Sequence, residues 1–143
     1  MTSEATPPTP PSRRTFTVEE LSRLAPGLGV IMPDIGTRTW KLYYAAQALN
    51  WPLAKFQVGE IRGLMLRGAF TRPAYENDLK TFVSDFVSKV SDAVEKQDFP
   101  AFDAAFREMV SMANEFHEGT DHGFLVWKLP DYPPPDLDLT PKI

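Results

Sequence analysis

The chain has 143 residues, a length that fits one domain with a hydrophobic core of its own. Its hydrophobic content of 43% and charged content of 24% are ordinary for a globular protein, and its net charge of -4 offers no basic surface to a nucleic acid. With no cysteine and no run of about 18 apolar residues, the sequence excludes disulfides, thiol catalysis, thioether-linked haem and a membrane span.

The two ends of the chain are rich in proline. Residues 1–14 cannot bury enough apolar surface to offset chain entropy and predict a disordered tail, and residues 130–143 predict an extended one. A soluble folded domain is expected between them, over residues 15–129. Ser12–Val18 has the form of a twin-arginine export signal, but charged residues follow where such a signal needs an apolar segment. We therefore expect a cytoplasmic protein, with twin-arginine export as the alternative.

Apolar spacing and capping residues predict one short helix followed by four longer ones. Thr17 and Glu20 form a capping-box pattern that opens the short helix, which ends before Pro26. The longer helices are predicted over residues 33–49, 51–67, 73–97 and 99–118. Gly68 is expected to stop the second of them, and three residues are expected to cap the second, third and fourth: Asn50, Thr71 and Asp98.

The turns before the second and fourth long helices repeat each other. Asn50-Trp51-Pro52 returns 48 residues later as Asp98-Phe99-Pro100, which indicates two related helical hairpins. Short connections favour antiparallel neighbours. The predicted fold is therefore all-α: an antiparallel up-down four-helix bundle with a short N-terminal helix and extended proline-rich termini.

Three polar side chains fall on apolar helix faces when residues are placed at about 100° per residue. Glu60 and Arg38 should point inward, and because inward charges need partners, we expect them to pair near the Tyr43 hydroxyl. His117 falls at the edge of the packed face of the last helix. Two interpretations stay open: a structural pair that fixes helix register, or a polar pocket that addresses a ligand. Close approach of a backbone or a flat ligand is also favoured by two glycines inside a helix: Gly59 and Gly63.

Catalytic signatures are missing from the sequence. It has no G-x-S-x-G elbow, no glycine loop for phosphate and no Cys/His pair, which favours a protein that is not an enzyme. A carboxylate–histidine metal site is an alternative, suggested by five residues near the end of the last helix: Glu115, His117, Glu118, Asp121 and His122.

The segment Ala113–Pro135, with its Ala-Asn-Glu-Phe-His stretch and its Asp-Tyr-Pro-Pro-Pro end, resembles the C-terminal part of small helical c-type cytochromes related to cytochrome c prime. The segments Met32–Ala46 and Asn50–Ala54 look like the same group. In that family a C-N-x-C-H haem motif lies near the end of the last helix. The resemblance places its two cysteines on Ala113 and Phe116 and its iron-ligating histidine on His117. It thus implies a relative of these cytochromes that kept the scaffold and the histidine but has no covalent haem.

Several functions are compatible with these features. The leading hypothesis is a non-catalytic bundle that needs no cofactor and binds another protein, associates with itself or serves as a subunit of a complex, with Trp127 and Tyr132 as exposed aromatic anchors. The first alternative is a protein that binds non-covalent haem or another flat ligand through His117, with Arg38 pairing to an acidic group of the ligand. The second alternative is the metal-binding bundle.

Overall fold

A computed structural model describes residues 13–141, and within that range every regular element is helical. A 3-10 turn at Pro73–Tyr75 leads into a helix at Glu76–Phe82, and a π turn at Val83–Val87 joins that helix to the next one at Ser88–Glu95. These two helices, α4 and α5, are therefore continuous, and together we call them the α4–α5 rod. The helices are α1 Val18–Leu24, α2 Leu28–Gln47, α3 Trp51–Thr71, α4 Glu76–Phe82, α5 Ser88–Glu95 and α6 Phe99–Gly119. The predicted all-helical class is confirmed. Most of the predicted tail, residues 1–14, lies outside the described range.

The first hairpin is formed by α2 and α3, which pack side by side in opposite directions. Gly68 of α3 is buried opposite Leu28 of α2, and a Cβ atom at position 68 would lie 2.9 Å from the Leu28 Cδ2 atom. The helix continues past this glycine to Thr71. The prediction that Gly68 stops the helix is therefore wrong, because this glycine lets the two helices approach each other closely.

The second hairpin is formed by α5 and α6, and α3 packs against the α4–α5 rod while α2 reaches α6. Phe102 and Phe106 of α6 are fully buried where the hairpins meet. The ring of Tyr43 lies 4.9 Å from that of Phe106, and the ring of Trp51 lies 6.4 Å from that of Phe102. Burying a Phe side chain stabilises a fold by roughly 1.5–3 kcal/mol, so this aromatic cluster is a main contribution to the association of the hairpins.

Three predicted caps are confirmed. The Thr17 hydroxyl accepts a hydrogen bond from the Glu20 amide at 3.1 Å, and the Glu20 carboxylate accepts one from the Thr17 amide at 3.1 Å, which completes the capping box of α1. At the start of α6, Asp98 Oδ1 accepts from the Ala101 amide at 3.1 Å. Asn50 caps α3 in the same way.

Other helix boundaries differ from the prediction. The second helix begins at Leu28, so Pro33 lies in its second turn rather than at its start. The Thr71 hydroxyl does not cap the next helix but donates to the Pro26 carbonyl at 2.8 Å. The residues that follow form the 3-10 turn Pro73–Tyr75 before α4 begins. The hydroxyl expected to cap the next helix is thus used in a contact with the loop before α2.

Residues 121–141 form neither helix nor strand and run back along the helices. The side chains of α2 hold this C-terminal segment through three contacts: Tyr44 Oη to the Pro130 carbonyl at 2.8 Å, Trp40 Nε1 to the Tyr132 carbonyl at 2.8 Å and Lys41 Nζ to Asp136 Oδ2 at 2.8 Å. No helix within residues 13–141 is long and apolar enough to cross a membrane.

Candidate functional site

A cavity of about 630 Å³ lies between the first half of α2, the start of the α4–α5 rod and the second half of α6. Its volume falls within the range of about 300–1,000 Å³ that is usual for small-molecule sites. The walls are mainly apolar and include Leu28, Met32, Ile35, Leu79, Phe82 and Val110. Such walls bind a ligand by removing its apolar surface from water.

Small residues help to keep the cavity open. Gly29, Gly36 and Ala113 line it and carry little or no side-chain volume. A Cβ atom at position 29 would contact nothing within 4 Å, whereas one at position 36 would lie 3.0 Å from the Trp127 Nε1 atom. Gly36 therefore makes room for the indole of Trp127, which forms part of the cavity wall.

The C-terminal segment closes one side of the cavity with Leu125, Val126 and Trp127. Asn114 of α6 holds it through two hydrogen bonds, from its Nδ2 to the Trp127 carbonyl at 3.0 Å and from the Trp127 amide to its Oδ1 at 2.8 Å. This pairing satisfies both backbone groups of Trp127 and fixes the position of the segment on α6.

His117 lies at the edge of the packed face of α6, as predicted, and lines the cavity. Its Nδ1 atom is 2.8 Å from the Leu125 carbonyl oxygen. A carbonyl oxygen can only accept, so Nδ1 carries the hydrogen of this bond and the neutral ring keeps Nε2 as an acceptor. A histidine with one nitrogen bonded to a backbone carbonyl is oriented to offer the other nitrogen to a ligand.

The expected Arg38–Glu60 pair does not form. Glu60 is exposed, because its neighbours on the helix wheel, such as Phe56 at 55% exposure, lie at the surface of α3. Arg38 Nη1 instead donates to Gln57 Oε1 at 3.1 Å. Its Nε atom is 3.3 Å from Asp34 Oδ1, which makes an ion pair, but the N–H group is not aligned with that oxygen and Nε has no hydrogen-bond partner. Neither Arg38 nor Glu60 lines the cavity.

Tyr43 belongs to a polar contact between α2 and α6, away from the cavity. Its hydroxyl donates to Asp103 Oδ1 at 2.9 Å, and Arg107 Nε donates to Asp103 Oδ2 at 3.1 Å. Burial and the hydrogen bond to Asp103 raise the pKa of Tyr43. Burial opposes ionisation of Asp103, but the hydrogen bonds from Arg107 and Tyr43 outweigh it and lower the pKa of this carboxyl. Of the four predicted ligand-binding residues, only His117 is at the cavity.

Gly59 and Gly63 of α3 are not approached by any other part of the described chain. A Cβ atom at either position would meet nothing within 4 Å, and neither glycine lines the cavity. The expected close approach of a backbone is therefore wrong, and the expected approach of a flat ligand stays a prediction.

The two predicted aromatic anchors contact the chain itself. Trp127 is partly buried at the cavity, and the exposed ring of Tyr132 packs edge to face on Trp40 with 5.4 Å between centroids. Both residues hold the C-terminal segment against the helices.

The metal alternative gains no support from the geometry. Across residues 13–141 no three His, Asp or Glu side chains come together in a way that could hold a metal ion. His122, which also lines the cavity, places its Nδ1 atom 2.6 Å from the Thr120 carbonyl oxygen.

No protein-family model, curated protein or solved structure matches this chain. The resemblance to c-type cytochromes therefore depends on the sequence segments alone.

Most of the cavity wall could not be distinguished from ordinary core in the sequence, because wall residues such as Leu79 and Phe82 follow the apolar spacing of the core and are themselves buried. Gly29 and Gly36, about two turns apart on the wall of α2, were the signal that could have indicated it.

Proposed function

We propose that this protein is a non-catalytic ligand-binding protein, an antiparallel up-down four-helix bundle that holds a small apolar molecule in the cavity at one end. The observation that carries the proposal is the cavity of about 630 Å³ with apolar walls. Protein cores are normally packed to the density of organic crystals, with few voids larger than a water molecule. This space is instead a partly open recess with Met, Leu and Phe side chains in its wall, and an apolar recess of this size is typical of a small-molecule site.

His117 supplies the orienting polar group of the proposed site. Its Nδ1 bond to the Leu125 carbonyl fixes the ring, and Nε2 can then accept a hydrogen bond from a ligand or coordinate a metal centre that the ligand carries. Most of the remaining wall is apolar, so affinity would come mainly from burial, while His117 and a few other polar residues of the wall, Asp78, Thr120 and His122, would orient the ligand.

Non-covalent haem fits this site only in part. His117 Nε2 could serve as the axial ligand of the iron, which is the chemistry that the cytochrome resemblance implies. The two propionates of haem, however, need cationic or strongly donating partners, and no Lys or Arg is among the residues 13–141 that line the cavity. We therefore favour an apolar ligand without carboxylates over haem.

Binding of neutral diphenylhexatriene, which fluoresces strongly only in apolar surroundings, tests the proposed site. The wild-type chain should bind it saturably at one equivalent. Ala113 lines the cavity, so Ala113→Trp should fill the space and abolish binding, whereas Ala104→Trp on the exposed side of α6 should leave it unchanged. No saturable binding, or equal binding by the two variants, would refute the proposal.

A haemin titration tests whether the ligand of the cavity is haem. If haem is the ligand, a Soret shift should saturate at one equivalent and disappear in His117→Ala. A featureless spectrum with intact diphenylhexatriene binding would exclude haem while leaving the ligand-binding function in place.

A second candidate function, an interaction module, is favoured by a different observation. The helix α1 has no buried residue, and Val18, Leu21 and Leu24 are 84%, 52% and 61% exposed. An amphipathic helix of this kind suits an apolar groove on another protein or on a second copy. Light scattering and a pull-down with wild-type and Leu21→Glu chains test this proposal. A strict monomer that retrieves no partner would contradict it.

A further inference from the structure

A smaller hollow of about 300 Å³ adjoins the cavity between α4 and α6. Asp78, Phe116 and Thr120 line both spaces, so the hollow and the cavity share a wall. Glu115 and Gly119 complete the outer side of the hollow, where both residues are exposed. We call this shared region the mouth of the cavity.

The mouth carries two carboxylates without partners. Asp78 and Glu115 are exposed, and neither makes an ion pair or hydrogen bond with any residue in the described range 13–141. Asp78 lies in the first turn of α4, where the helix dipole stabilises a negative charge. Glu115 lies near the C-terminal end of α6, where the dipole gives no such support.

No cation balances these carboxylates in the wall. Over residues 13–141, neither the cavity nor the hollow is lined by a Lys or Arg side chain. Lys80, one turn along α4 from the acidic first turn, is already paired with Glu76 at 2.6 Å. The aromatic rings of Tyr75 and Phe116 line the cavity beside Asp78, and the face of an aromatic ring also attracts cations.

From this combination of apolar walls and an acidic, aromatic mouth, we propose that the ligand is a lipophilic organic cation. Its hydrophobic body would fill the cavity, and its protonated amine or quaternary ammonium group would lie at the mouth between Asp78 and Glu115. An anionic amphiphile would place its charge beside two carboxylates and would be rejected. This inference rests on the proposed ligand-binding function and names the class of ligand.

Three forms of one fluorophore test the charge of the ligand separately from binding itself. The probes are neutral diphenylhexatriene, its trimethylammonium derivative and its propionic acid derivative, titrated into the full chain at low ionic strength. We expect the cationic probe to bind about three- to ten-fold more tightly than the neutral one, the range that one or two exposed ion pairs provide, and the anionic probe to bind most weakly.

The double variant Asp78→Asn and Glu115→Gln should remove the preference for the cation while leaving affinity for the neutral probe unchanged. Asp92→Asn is the control, because it removes an exposed carboxylate of α5 that lines neither the cavity nor the hollow. Circular dichroism confirms that each variant is folded.

The outcomes are distinct. If none of the three probes binds the wild-type chain, the proposed function itself fails. If the neutral probe binds but the cationic probe is no tighter, or if the double variant keeps the preference, the ligand is not a lipophilic cation and only this inference is overturned.

Discussion

Leu49 and Gln97 lie 48 residues apart and occupy the same position in two helix-to-helix turns, each with a left-handed backbone, at φ of 60° and 51°. In both turns the amide of the next residue donates to the carbonyl five residues before it, at 2.8 Å in the first turn and 3.2 Å in the second. Asp121 has the same conformation, at φ 61°, after α6. The sequence repeat around Asn50 and Asp98 therefore has a structural counterpart in two similarly terminated hairpins.

Replacing Gln97 by Gly should stabilise the protein. A left-handed residue with a side chain costs roughly 1–2 kcal/mol, and glycine avoids this cost, so we expect the free energy of unfolding to rise by about 1 kcal/mol. Gln97→Ala is the control and should bring no gain, because it keeps the Cβ atom. Urea unfolding measures both variants, and a Gly variant no more stable than the Ala variant would contradict the strain at this turn.

Two glycines of α3 should respond in opposite ways to substitution by alanine. Gly63 faces open space, so Gly63→Ala should raise the free energy of unfolding by about 0.5–1 kcal/mol through helix propensity. Gly68→Ala should lower it by up to about 2 kcal/mol, because the new Cβ atom would push the Leu28 side chain aside at a cost that exceeds the same gain in helix propensity. Thermal and urea unfolding of both variants test the prediction. A loss of stability in Gly63→Ala would show that something packs against this face.

The Tyr43–Asp103 hydrogen bond should make stability depend on pH at both extremes. The folded pKa of Asp103 is lowered, so its contribution is present above its unfolded pKa of about 3.9 and is lost as the pH falls below that value. The folded pKa of Tyr43 is raised, so its contribution is present below its unfolded pKa of about 10 and is lost as the pH rises above it.

Stability measured from pH 2 to 11 tests these signs in two variants. Asp103→Asn should flatten the acid limb, and Tyr43→Phe should flatten the alkaline limb. The reverse assignment, or no change in either limb, would show that this pair does not titrate as its contacts imply.

Asn114 should control how firmly the C-terminal segment is attached. Asn114→Ala removes both hydrogen bonds to Trp127, so the segment should open more often and trypsin should cleave after the exposed Lys128 roughly ten-fold faster. Asn77→Ala, at an exposed position on α4, is the control and should not change the rate. Mass spectrometry of the timed digest identifies the cut, and equal rates would mean that other contacts hold the segment.

The sequence by itself determined the helical class, the capping box of α1 and the turns at Asn50 and Asp98. These features depend on residues a few positions apart, whose caps and apolar spacing act within one helix turn. The position of His117 at the edge of the packed face of α6 followed from placing residues at about 100° per residue around the helix.

Only the tertiary structure decided which helix faces meet and where they leave space. Helical spacing gives the angle between two side chains of one helix but not which face of that helix packs against the neighbouring helix. Glu60 therefore lies at the surface, and Gln57 contacts Arg38 in its place. Gly68 became a contact with Leu28 for the same reason. The cavity is a gap between elements distant in sequence, lined by residues that look like core, and its existence depends on how α2, α4 and α6 are spaced.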